Sequence, residues 1–252
     1  MNVGELAWLA APVAALALAC LVLVPLGAQV LRRGVVFIDL AVAQVAACGA
    51  LAIGIAVEHP SAWQHAASTA SAALAGAALV WWLARQWPRQ REALIGLVYV
   101  AAAGASLLAA AYDVHGRERL ASLLAADVLW AHWGDIAGLA VAAALVLLTA
   151  RRLGRDAVFY PVFALALSVA VPVLGLYVVF ALLIGPALWC RRGAHLAAAL
   201  LLAAVACAAG LALSAWQDWP SGACVAVMLC FIGLAAAFGG RPGEAAEARV
   251  VG

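Results

Sequence analysis

The chain has 252 residues, of which 69% are hydrophobic and 10% are charged, and its mean hydropathy is +1.10. Soluble domains carry roughly a quarter charged residues and about half apolar ones, so this composition excludes a water-soluble fold and predicts an integral membrane protein. The net charge of only +2 gives no reason to expect nucleic acid as a partner.

All 14 basic residues are arginine, and the chain contains no lysine. P-loop ATPases and kinases use a lysine at the reacting phosphate, and Schiff-base enzymes use one at the carbonyl. We therefore expect no ATPase site of this kind within the chain. The six cysteines lie in or beside apolar runs without metal-ligand spacing, so we expect no tightly bound cofactor.

Apolar runs of about 20 residues, enough to span a bilayer as a helix, fill almost the whole sequence. The N-terminal run has no preceding basic region, so we expect it to be a retained helix and not a cleaved signal peptide. The predicted single spans are 6–31, 34–57, 65–84, 92–112, 132–150, 194–215 and 220–239.

The uncharged run 160–190 is too long for one ordinary span and short for two. Pro172 and Gly175 interrupt it, so we predict two short segments, 160–174 and 176–190. The resulting fold class is an all-α polytopic membrane protein with eight or nine transmembrane segments. Residues 1–240 form a single transmembrane domain, and residues 241–252 form a loose cytoplasmic tail.

The arginines predict the orientation. They cluster after the first, third and fifth spans, which places those turns in the cytoplasm of a cell whose inner membrane holds the chain. The N-terminus is then extracytoplasmic and the C-terminus is cytoplasmic. Arg191 and Arg192 lie on the cytoplasmic side only if the segment 160–190 crosses the membrane outward and then returns. On the opposite side, 113–131 has the apolar spacing of a helix lying in the membrane interface.

Asp39 is the most informative polar residue, because an ionised carboxylate inside an apolar helix is costly and usually faces a cavity or a partner. It lies about two turns from Arg32 and Arg33, so a simple ion pair is an equally good explanation. Gln44 lies deeper in the same helix. It lines a pathway or, as membrane amides more often do, bonds two helices together.

His132 and Asp135 stand three residues apart at the outer start of a predicted helix, where their side chains share a face. Together with Asp127 they form a candidate outer metal site or gate. Hydrated interfacial residues with no ligand role are the commoner explanation of such a pattern.

Four stretches in the same order resemble the permeases of metal-type ABC transporters, the membrane subunits of zinc and manganese importers. They are RRGVVFIDLAVAQVAACG at 32–49, REALIGLVYV at 91–100, HGRERL through DVLW at 115–130, and VLGLYVVFALLIGPA at 173–187. Such permeases typically carry Asp-x-x-x-His in the first of these helices. Here Gln44 stands where the histidine would be and Asp39 is one residue off, which indicates a divergent branch.

The resemblance implies a permease homodimer in membrane lipid, a separate cytoplasmic ABC ATPase, and an extracytoplasmic metal-binding protein. The transported substrate is a divalent metal, and Asp39 and Gln44 belong to its pathway. Because glutamine is a poor zinc ligand compared with imidazole, manganese or another oxygen-preferring ion fits equally well, as does a purely conductive role for Gln44.

The longest predicted cytoplasmic connection, 151–160, is the candidate coupling element to the ATPase. It opens with Arg151, Arg152 and Arg155, and Asp156 is positioned to cap a short helix. Phe159 or Tyr160 is the expected anchor in a groove of the partner.

Two other functions fit the same composition. One is a proton-coupled secondary transporter with Asp39 as the titrating group, which needs no ATPase. The other is a non-transporting membrane scaffold, which would be indifferent to changes at Asp39, Gln44 and Pro172.

Overall fold

The computed structural model describes residues 9–57, 60–111, 121, 126 and 128–238, and every regular element within them is helical. Two short 3-10 turns, Val128–Trp130 and Ala150–Arg152, flank the fifth α-helix. The α-helices are α1 (Ala10–Arg33), α2 (Ile38–Ala56), α3 (Ala62–Gln86), α4 (Arg91–Ala111), α5 (Trp133–Thr149), α6 (Asp156–Arg191), α7 (Leu196–Gln217) and α8 (Ser221–Phe238).

Within the described residues, α1 to α7 are each long and apolar enough to cross a membrane, and α8 contains a shorter apolar stretch, Ser221–Ala236. The helix bounds lie within a few residues of the predicted segments. The all-α polytopic fold is therefore confirmed. The tail 241–252, Asp127 and most of the predicted interfacial helix 113–131 lie outside the described residues.

Helix α6 is two helices joined at Gly175, whose backbone angles (φ 76°, ψ 157°) are not helical. Its first residue, Asp156, pairs with Arg33 at the end of α1, while Leu183 packs directly on Gly27 of the same helix. A straight helix would separate Asp156 from Leu183 by roughly 40 Å, whereas six residues of α1 span about 9 Å. The chain therefore reverses near Gly175.

This reversal confirms the broken segment predicted for 160–190, and the turn lies at Gly175, between the two predicted halves 160–174 and 176–190. Cys190, near the end of α6, lies within electrostatic range of Arg32. Both ends of α6 thus lie at the arginine-rich end of the bundle, as the positions of Arg191 and Arg192 predicted.

The two halves of α6 form the centre of the bundle and contact α1, α2, α3, α5, α7 and α8. Small residues allow this close packing. A Cβ on Gly185 would lie 2.8 Å from the Leu229 oxygen of α8, and one on Gly233 would lie 2.8 Å from the Cα of Gly185. Helix α4 packs mainly on α2 and α3 and leaves most of its surface exposed.

We predict that Gly175→Ala destabilises the protein by about 1–3 kcal/mol, because its backbone conformation is essentially restricted to glycine. Thermal unfolding of the detergent-purified protein measures the effect. Gly104→Ala is the matched control, since its Cβ would enter open space in helix α4 and should leave stability unchanged or raise it. Equal unfolding temperatures for Gly175→Ala and the wild type would show that the turn is elsewhere.

Candidate functional site

Asp39 lies in the first turn of α2 with only 1% of its surface exposed. Neither carboxylate oxygen has a hydrogen bond of good geometry among the described residues, and the only amides there that act on it are those of its own turn, Asp39 and Leu40. The amide dipoles at a helix start favour a negative charge there, but they do not replace hydrogen bonds to the oxygens. The position is therefore a costly one for a carboxylate and calls for a proton or a cation.

The alternative that Asp39 is simply paired with a neighbouring arginine is wrong. Arg33 is bonded instead to Asp156, with 3.2 Å between Nε and Oδ1, and Arg32 points outward as an exposed residue. Asp39 thus stays buried without an arginine partner among the described residues.

Glu92, in the first turn of α4, joins Asp39 at this site and was missed by the sequence analysis. Its Oε1 accepts the backbone N–H of Val36 at 2.9 Å, which fixes α4 to the connection between α1 and α2. Its Oε2 is buried without a partner among the described residues, and the carboxyl lies within electrostatic range of Asp39. Its place at the start of an apolar helix in the 91–100 motif was the available signal.

Asp39 and Glu92 together have three carboxylate oxygens without hydrogen bonds among the described residues, and such oxygens suit a hard divalent cation or protons. Where the chain is described, three or more His, Cys, Asp or Glu side chains nowhere come together as a metal-binding group. Two carboxyl groups alone leave a cation partly hydrated. Such a site is better suited to passing an ion than to storing one.

Gln44 bonds two helices together. Its Nε2 donates to Ser106 Oγ of α4 at 3.1 Å, and Cys48, one turn further along α2, contacts the same oxygen at 3.0 Å. Gln44 and Ser106 are both buried. Of the two explanations drawn from the sequence, the interhelical one matches this contact.

At the start of α5, His132 is the N-cap residue and Asp135 is its partner in a capping box. Asp135 Oδ2 accepts the backbone N–H of His132 at 3.0 Å and lies 3.9 Å from His132 Nδ1. The His132 side chain is 85% exposed. Because Asp127 lies outside the described residues, the outer metal site stays a prediction, while the cap accounts for the spacing of the other two residues.

Arg33 joins the end of α1 to the start of α6. Besides Asp156, its guanidinium donates to the carbonyl oxygens of Leu153 at 2.9 Å and Gly154 at 3.2 Å. It also bonds the Gln29 side chain at 3.1 Å and lies 4.0 Å from the centre of the Phe159 ring. One side chain thus holds Leu153, Gly154 and Asp156, the last part of the 150–156 connection, against α1.

These contacts correct three expectations about the segment 151–160. Phe159 is completely buried beneath Arg33, and Tyr160 is 8% exposed, so neither is a surface anchor for a partner. Residues 157–160 do not form a separate short helix, because they are the first turn of α6. Asp156 is the first residue of α6 and not its cap, which is Arg155.

The exposed residues of the 150–156 connection and of the first turn of α6 are mostly charged. Arg151, Arg152, Arg155 and Asp156 are all exposed, as are Gly154 and Ala157. These six residues are called the 151–157 surface below.

Comparison with known proteins bears on this second half of the chain. Residues 155–239 match the family model described as the ABC 3 transport family. The match starts beside the 151–157 surface and runs through both halves of α6, α7 and α8. No curated protein matches the sequence significantly.

The fold resembles a solved structure, "PsaBC from Streptococcus pneumoniae in complex with Fab". The TM-score is 0.73, the sequence identity is 12%, and the alignment covers 98% of this chain and 96% of that chain. The bundle described above is therefore a known membrane-protein fold over nearly its full length.

We predict that Arg33→Gln lowers the unfolding temperature of the detergent-purified protein by several degrees, since hydrogen bonds to a charged group contribute about 1.5–3 kcal/mol. Arg32→Gln removes the same charge from the adjacent exposed residue and should have almost no effect. If both variants unfold together with the wild type, Arg33 does not position the 150–156 connection.

Proposed function

We propose that this chain is the membrane permease subunit of an ATP-driven ABC importer for a divalent metal of the zinc and manganese class. The match of residues 155–239 to the ABC 3 transport family carries the proposal. The fold, shared with a chain of the PsaBC structure, supports it. A dimer of the permease, a separate cytoplasmic ATPase and an extracytoplasmic metal-binding protein complete the proposed assembly in the inner membrane.

In this assembly the metal passes the carboxyl groups of Asp39 and Glu92 before it leaves the membrane. Carboxylate oxygens without hydrogen bonds can replace part of the ion's hydration shell there. Helix α2 has no histidine, and the amide nitrogen of Gln44 is engaged with Ser106. The donors on this route are oxygens, so the chemistry favours manganese over zinc.

We expect Asp39→Asn to reduce ATP-driven metal uptake by the reconstituted permease and ATPase by about tenfold or more. The change keeps the side-chain shape and removes the charge that offsets a partly dehydrated cation. Asp218→Asn, at the exposed left-handed residue that ends α7, is the matched control and should transport normally. Uptake by Asp39→Asn equal to the control would remove Asp39 from the pathway.

Coupling to the ATPase occurs through the 151–157 surface, which is exposed and basic and is held by Arg33 at the start of α6. ATP-driven movement at this surface would reach the central helix directly, because the surface continues into it. Phe159 acts inside the permease as packing beneath Arg33 and not as the contact itself.

The coupling assignment predicts a specific crosslink. In a background without the native cysteines, Ala157→Cys should crosslink to the ATPase, and Arg151→Gln with Arg152→Gln should weaken ATPase association without changing insertion. Arg89→Cys, in the exposed turn before α4, is the comparison position. Crosslinking only from position 89 would move the coupling element to that turn.

A secondary transporter remains the second candidate because of one observation, the buried Asp39 carboxyl without partners. Such a group suits proton exchange. Uptake driven by a proton gradient without nucleotide would favour this function over the ABC importer.

A further inference from the structure

A cavity of about 270 Å³ opens where the ends of α1 and α3 meet the starts of α4 and α6. Three guanidinium groups line it, those of Arg33, Arg85 and Arg91, together with a single carboxylate, Asp156. Because Asp156 is paired with Arg33, the remaining positive charge of the cavity comes from Arg85 and Arg91.

These two arginines have no ion-pair partner among the described residues. Arg85 lies 5.7 Å from the centre of the Trp81 ring. The Tyr160 side chain also lines the cavity, and its hydroxyl is a donor suited to an anionic oxygen. The cavity thus has the chemistry of a phosphate site.

A second, apolar groove of about 250 Å³ continues from this cavity between α3 and the start of α6. The two share Trp81, Asp156 and Tyr160. The groove extends along one face of α3 to Leu74, about 10 Å deeper in the membrane than Trp81. Leu74 and Trp81 are 38% and 36% exposed, so this face is open toward lipid.

We propose that the basic cavity and the apolar groove together form a binding site for an anionic phospholipid. The phosphate binds between Arg85 and Arg91, and one acyl chain lies in the groove past Ala77 and Ala78 toward Leu74. Basic pockets between transmembrane helices bind anionic headgroups in this way, with a tryptophan at headgroup level. A free phosphate ion would leave the continuous apolar groove unexplained.

The lipid links elements that are distant in sequence. The cavity is formed by α1, α3, α4 and α6, and Arg33 at its edge also holds the 150–156 connection. A bound anionic lipid therefore stabilises the arginine-rich end of the bundle by offsetting the repulsion of neighbouring guanidinium groups. This inference rests on the cavity and the groove, and it holds whatever ion the protein transports.

Native mass spectrometry of the detergent-purified chain, titrated with phosphatidylglycerol, tests the proposal. We expect phosphatidylglycerol to bind at least tenfold more tightly than phosphatidylcholine. Arg85→Gln with Arg91→Gln should weaken the binding of phosphatidylglycerol by roughly 30-fold. Arg151→Gln with Arg152→Gln removes the same number of charges outside the cavity and should leave binding unchanged.

Three further measurements distinguish a bound lipid from a phosphate ion or a docked protein. Ala78→Phe should fill the groove and weaken lipid binding although all arginines are intact. This variant tests the lipid site even if the double arginine variant does not fold. Glycerol 3-phosphate binding as tightly as the lipid would show a phosphate site and overturn the proposal. It is also overturned if Arg85→Gln with Arg91→Gln keeps the lipid and loses the ATPase, because the cavity is then a protein-docking surface.

Discussion

The arrangement at the arginine-rich end of the bundle depends on Arg33. Its guanidinium is bonded at once to the side chain of Asp156 and to the main chain of Leu153 and Gly154, and it covers the ring of Phe159. A membrane-spanning helix satisfies its own backbone but not the carbonyl groups of the connections that follow it. A planar side chain with five donors can satisfy several of these groups together. The start of the central helix α6 is thereby fixed to the end of α1.

Asp39 stands in direct contrast to Arg33. It lies six residues away along the chain, and its carboxylate oxygens have no hydrogen-bond partner in the described structure. Asp156 receives a donor from Arg33, whereas both oxygens of Asp39 and Oε2 of Glu92 have none among the described residues. Carboxyl groups that lack hydrogen bonds inside a membrane typically bind ions or exchange protons. The arginine-rich end of the bundle thus contains both the hydrogen-bonded contacts of Arg33 and the Asp39 and Glu92 carboxyl groups, which have oxygens without hydrogen bonds in the described part of the chain.

Much of the fold could be predicted from the sequence, since bilayer thickness and flanking arginines set where each helix begins and ends. The reversal within 160–190 was predictable too, because no single helix fits that length and Gly175 offers a turn. The contacts at the site were not predictable. Whether Arg33 pairs with Asp39 or with Asp156 depends on a residue 123 positions away. The sequence alone suggests that Phe159 is a surface aromatic, and only the folded bundle shows that it is buried beneath Arg33. The role of Glu92 depends on Val36 and Asp39, which are distant from it in sequence and near it only in the fold.

Metal uptake by proteoliposomes tests whether the chain is an ATP-driven metal importer, with the permease reconstituted alone or with its co-purified ATPase. Manganese, zinc and iron are offered outside with ATP and with a non-hydrolysable analogue inside, each with and without an imposed pH gradient. An importer of this kind should accumulate manganese only with both the ATPase and hydrolysable ATP, whether or not a pH gradient is imposed. Accumulation that follows the pH gradient in the absence of the ATPase would contradict this function.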